Sequence, residues 1–131
     1  MATLLIIEDE TPIRANLRQL LQLEGYTVLE TANGEEGVAA AHARQPDLVL
    51  CDILMPGMDG YAVLAALRAS PATKALPFIF LTASANRSER EQAIARGADE
   101  YLVKPVRIAE VLAAIDSVLQ RRKGKPEGEQ S

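Results

Sequence analysis

Four apolar runs in this sequence each end on a reactive side chain. "LLIIEDE" closes with Glu8, Asp9 and Glu10, "LVLCD" with Asp52, "FIFLT" with Thr82 and "YLVK" with Lys104. Carboxylates, a hydroxyl and an ammonium suit phosphoryl chemistry: Asp52 can act as a carboxylate nucleophile, and Thr82 and Lys104 can both contact an oxyanion. If the runs converge, Glu8, Asp9 and Asp52 repel at low dielectric, which raises at least one pKa and destabilises the fold unless a cation sits among them. An all-oxygen ligand set points to Mg²⁺ rather than zinc, and Mg²⁺ held by few protein ligands keeps waters that phosphate oxygens can replace.

Such convergence needs a fold that gathers the ends of separate runs. Five strand-length apolar runs recur, at 4–7, 26–29, 48–51, 78–81 and 101–103, mostly bounded by turn signals. Between them lie amphipathic helical stretches. The first carries Ile13, Leu17, Leu20 and Leu21 at 3.6-residue spacing, and the last carries Ile108, Val111, Leu112, Ile115, Val118 and Leu119. Thr11-Pro12 reads as an N-cap followed by proline at N1, Asn33/Glu36 and Asn86/Glu89 have capping-box spacing, and Gly25 and Gly97 stand where left-handed C-caps are expected.

Strand then helix, five times, predicts an α/β protein: a three-layer, doubly wound (βα)5 sandwich with a parallel five-stranded sheet. All C-terminal strand ends then share one edge, the usual ligand edge of open α/β folds. In a strand order of 2-1-3-4-5, strands 1 and 3 are neighbours and Asp9 meets Asp52.

The 131 residues, 48% of them hydrophobic and 24% charged, suit a single domain with one core. A net charge of −4 argues against direct contact with nucleic acid. One cysteine excludes an internal disulfide, and no apolar run approaches the length that spans a membrane. These features suggest a cytoplasmic protein. Residues 1–122 are expected to form the domain, and "KGKPEGEQS" (123–131), which has no large apolar side chain, a disordered polar tail or truncated linker.

The motifs "LLIIEDE", "LVLCDILMPGMDG", "IFLTA" and "YLVKP", in this order and each at a strand end, resemble the receiver domain of two-component response regulators over roughly residues 3 to 121. The resemblance supplies the 2-1-3-4-5 order of the flavodoxin-like, CheY-like fold. It implies that Asp52 is the phosphoacceptor, that Asp9 binds Mg²⁺ directly with Glu8 acting through water, and that the Leu54 backbone carbonyl completes the metal ligands. It further implies that Thr82 and Lys104 bind the acyl phosphate, that Tyr101 turns inward as Thr82 is drawn to the phosphate, and that the Lys104–Pro105 peptide is cis. The implied donor is a histidine kinase or histidine phosphotransfer protein. The expected readout surface is helix 4, strand 5 and helix 5; a homodimer through helices 4 and 5 stays open, with no sequence pattern arguing for it. Glu8 stands where Asp is commoner, and Val106 where many members carry Phe.

Other residues carry plainer readings. Glu10 reads as a loop acid, His42 as a solvated helix residue without a partner motif, and Cys51 as buried because it points away from Asp52's side of the strand. Met55 and Met58 read as loop packing, and Arg121-Arg122 as complements to a helix dipole. Two other functions remain open. A Mg²⁺-dependent phosphatase working through an aspartyl-phosphate would ordinarily carry a second acid at Leu54. A receiver-shaped interaction module independent of phosphorylation would typically have lost the acidic pair or the lysine. A flavin module is disfavoured by "EDETPIR" after the first strand, which lacks a Ser/Thr/Gly-rich phosphate loop.

Overall fold

The computed structural model describes residues 2–123. Five strands alternate with five helices: β1 Thr3–Ile7, α1 Thr11–Leu23, β2 Thr27–Thr31, α2 Gly34–Arg44, β3 Leu48–Asp52, α3 Gly60–Arg68, β4 Phe78–Thr82, α4 Arg87–Ala95, β5 Glu100–Val103 and α5 Ile108–Lys123. All strand pairs are parallel and the order is β2-β1-β3-β4-β5. The expected tail begins one residue inside α5, and its residues 124–131 lie outside the described residues.

Alternation along each strand splits the core into two layers. Leu5, Ile7, Val49, Cys51, Phe78 and Phe80 face α2, α3 and α4, against Ala41, Val63, Leu64, Leu67 and Ala93. Leu4, Ile6, Leu48, Leu50, Ile79 and Leu81 face α1 and α5, against Leu17, Leu21, Val111, Ile115 and Val118. Strands covered on both faces are near-continuous apolar runs, and β3 and β4, buried along their whole length, are apolar up to Asp52 and Thr82 at their ends. Each large side chain so buried contributes about 1.5–3 kcal/mol.

Two local expectations are corrected. Thr11 is the first helical residue of α1 and not its N-cap; Glu10 holds that place, with no side-chain cap bond. The second strand starts at Thr27 and runs on to Thr31, because the Tyr26 amide is used to close α1 by donating to Leu21 O. Glu30 and Thr31 stay paired with Ile6 and Ile7.

The other caps form as expected. Asn33 and Asn86 accept from the amides of Glu36 and Glu89, and Gly25 and Gly97 have φ of 97° and 113°. Each side-chain cap of this kind is worth about 1 kcal/mol.

Candidate functional site

Register brings the reactive residues to one rim. Ile7 pairs with Cys51, so Glu8 follows β1 level with Asp52 at the end of β3; Thr82 ends β4 opposite Val103, and Lys104 comes next. The Lys104 amide donates to Thr82 O at 2.6 Å, and the Lys104–Pro105 peptide is cis.

Carboxylate oxygens of Glu8, Asp9 and Asp52 lie within 4.8 Å of one another. Glu8 is fully buried, Asp52 is 5% exposed and Asp9 is half-buried. Lys104 answers the repulsion: its Nζ is 2.8 Å from Glu8 Oε1 and 3.3 Å from Asp52 Oδ2. Glu8 Oε2 accepts from the Glu10 amide, and Arg14 Nη1 donates to the Glu8 carbonyl at 2.8 Å.

Burial, then the charge of Glu8, pushes the Asp52 carboxyl up to about 6, with Lys104 pulling the other way. For Lys104, burial works to lower the pKa, but hydrogen bonds and charges from Glu8 and Asp52 outweigh it and the pKa rises. A single ammonium therefore leaves the cluster short of positive charge. Three oxygen donors with this deficit fit a hard divalent cation such as Mg²⁺.

The rim continues into the β4–α4 loop through Ser84. Its amide donates to Thr82 Oγ1 at 3.2 Å, its carbonyl accepts from the Tyr101 hydroxyl at 3.1 Å, and its Oγ accepts from the Asn86 amide at 3.2 Å. Tyr101 is buried, so its ring already lies inward. Leu54 is 73% exposed beside the acidic cluster.

Cys51 is buried on the opposite face, and burial, followed by the charge of Asp52, pushes its thiol well above the ordinary range, leaving no thiolate to compete with Asp52. His42 and Glu10 are exposed, and Met55 and Met58 pack against the core.

Sequence reasoning missed several long-range contacts. Glu30 pairs with Arg14 and also lies 2.7 Å from Arg18 Nε, the latter without hydrogen-bond alignment. Arg122 is more than a dipole complement: it binds both oxygens of Asp99 and the Ala75 carbonyl. Arg68 joins the same Asp99. Nothing local in the sequence marks these pairs, since their members lie 16, 23 and 31 residues apart.

Residues 4–116 match the family model described as the response regulator receiver domain. This chain belongs to that family. A receiver domain is a phosphorylation-dependent module of two-component signalling. The chain is 38% identical over 118 residues to the phosphate regulon transcriptional regulatory protein PhoB of Rhizobium meliloti, covering 90% of this chain and 52% of PhoB. The chemotaxis protein CheY4 of Vibrio cholerae superposes with a TM-score of 0.85 at 31% identity, covering 90% of this chain and 98% of CheY4. The receiver domain of the Pseudomonas aeruginosa sensor histidine kinase PA1611, a structure with magnesium coordinated in its active-site cleft, gives 0.83 at 29% identity, covering 91% and 98%. The chain spans about half the length of the curated relatives it matches. No helix among the described residues is long and apolar enough to cross a membrane.

Proposed function

We propose that Asp52 is the phosphoacceptor of a conformational switch, and that a histidine kinase or histidine phosphotransfer protein is the donor. The observation that carries this reading is the placement of Asp52 within salt-bridge distance of Lys104 and within one carboxylate cluster with Glu8 and Asp9. A carboxylate oxygen of Asp52 attacks phosphorus, the bond from phosphorus to the donor's imidazole nitrogen breaks, and the electron pair leaves with the imidazole. Lys104 and the Thr82 hydroxyl are placed at the rim to take up the charge of the transferred group.

Glu8, Asp9 and Asp52, with the Leu54 carbonyl, are the residues that would hold Mg²⁺. When bound, the ion supplies the charge neutralisation that lets an anionic donor approach anionic carboxylates. An apolar groove of about 560 Å³, lined in part by Ile13, Leu20, Pro105 and Val106, opens next to Lys104 and offers the donor protein a place to dock.

Readout follows from differential contacts in two states. Drawing the Thr82 hydroxyl to a phosphoryl oxygen removes it from the Ser84 amide. Ser84 also accepts from Tyr101 and from Asn86, the N-cap of α4, so the change passes to the surface of α4, β5 and α5. The domain catalyses only its own phosphorylation and dephosphorylation, and it works in the cytoplasm.

The test is labelling with a small acyl phosphate and magnesium. Wild type should take up one phosphoryl group and Asp52→Asn none, and chelation of the metal should abolish uptake. Labelling that survives Asp52→Asn would overturn the assignment, and steady turnover of phosphate monoesters would favour a phosphatase.

A further inference from the structure

The two ends of α4 are held in different ways. Residues 85–92, which include the first six of the helix, are all exposed, and Ala93 is its one buried residue. Over these first six residues the helix gains almost nothing from the hydrophobic effect, so its attachments decide where that end stays. Of its side-chain ion pairs, Arg87–Glu91 is solvent-exposed and Arg90–Glu100, which reaches β5, is partly exposed; pairs of this kind are worth little.

At the C-terminal end the attachments are many. The Gly97 amide donates to Ile94 O and the Ala98 amide to Ala93 O, closing the helix through the left-handed Gly97. Arg68, at the end of α3, grips this turn: its Nε and Nη2 donate to Gly97 O at 3.2 and 2.8 Å. The same guanidinium donates through Nη1 to Lys74 O and Leu76 O of the α3–β4 loop at 3.1 and 2.7 Å, and contacts Asp99. Asp99 in turn accepts from the Phe78 amide and from Arg122. A β-carbon on Gly97 would stand 3.2 Å from Arg68 Nε, so the arginine lies flat against the turn. At the N-terminal end, by contrast, the helix is tied to the domain through Ser84, which bonds the N-cap Asn86, Thr82 and Tyr101, and through the single Arg90–Glu100 pair.

We propose that α4 is hinged at its C-terminal turn by Arg68, a positioning residue, so that the helix opens and moves from its first turn while its last turn stays fixed. The guanidinium suits the task because it serves three carbonyls from one rigid plane, which a lysine ammonium cannot do. In its bearing on switching, the inference rests on Asp52 as phosphoacceptor; the hinge itself is a property of the unmodified protein.

Amide hydrogen exchange tests it on the full chain. The Arg90, Glu91 and Gln92 amides should exchange at least about tenfold faster than those of Arg96, Gly97 and Ala98, because opening from one end exposes the first group alone. In Arg68→Lys the gradient should shrink to within about threefold, with global unfolding still far slower than either group. Equal protection at both ends in wild type overturns the hinge, as does an unchanged gradient in a folded Arg68→Lys. Should that variant fail to fold, the wild-type gradient decides.

Beryllofluoride with magnesium supplies a separate arm. Changes confined to residues 83–92 support the hinge, and equal changes through residue 98 refute it. No response anywhere would count against the phosphoacceptor reading, while the gradient in unmodified protein would still decide the hinge.

Discussion

The ammonium of Lys104 lies closer to Glu8 than to Asp52, at 2.8 Å against 3.3 Å. A fully buried glutamate thus holds the cation beside Asp52 in the unmodified protein. Removing that cation leaves Glu8 uncompensated in the interior. Lys104→Met should lose about 3–5 kcal/mol of stability in chelator at neutral pH, as read by urea unfolding, and magnesium should recover part of it. A loss under about 1 kcal/mol would mean that solvent, not Lys104, balances the cluster.

The raised pKa of Asp52 makes metal-free stability fall with pH. Its folded value of about 6 exceeds an unfolded value of about 4, so the folded state binds the extra proton between those limits. The associated stability is whole below about pH 4 and is lost as the pH climbs through 6, amounting to at most about 3 kcal/mol. Asp52→Asn should abolish this slope and be more stable than wild type at neutral pH without metal. Binding of magnesium to the folded acidic cluster alone should raise the melting temperature of wild type at neutral pH, and no shift at millimolar metal would count against a metal site there. Identical pH profiles for wild type and variant would refute the shift.

Leu54 offers no polar atom to orient an attacking water. Giving the position one should shorten the life of the aspartyl-phosphate: Leu54→Asn should release phosphate up to about tenfold faster, the worth of one oriented hydrogen bond. Because Leu54 is 73% exposed, its stability should shift by no more than about 0.5 kcal/mol. Phosphate release from the purified phosphorylated proteins makes the comparison, and a faster wild type would sink the idea.

Gly60 admits the loop to the back of Asp52. A β-carbon there would collide with the Asp52 carbonyl oxygen and lie 2.8 Å from Ile53 Cα, both backbone atoms that cannot rotate away. Gly60→Ala should cost about 1–3 kcal/mol and impair labelling of Asp52 even where the protein is folded. Thermal melting and phosphodonor labelling check the two effects, and unimpaired labelling would show that the loop relaxes without moving the acid.

The sequence by itself determined the element types and the chemistry of the rim. Strand-length apolar runs alternating with amphipathic helices leave few packings, and Asp52, Thr82 and Lys104 fall at run ends because a parallel sheet aligns its C-terminal edges. It did not determine where β2 begins, since Tyr26 looks like a strand residue until its amide is seen closing α1. It could not show that Lys104 favours Glu8, that Arg14 reaches the Glu8 carbonyl, or that Arg68 and Arg122 converge on Asp99. Those contacts depend on how helices rotate and slide against the sheet. Side-chain periodicity specifies which face a helix buries, but only packing the whole domain sets which distant polar groups then come within hydrogen-bond reach.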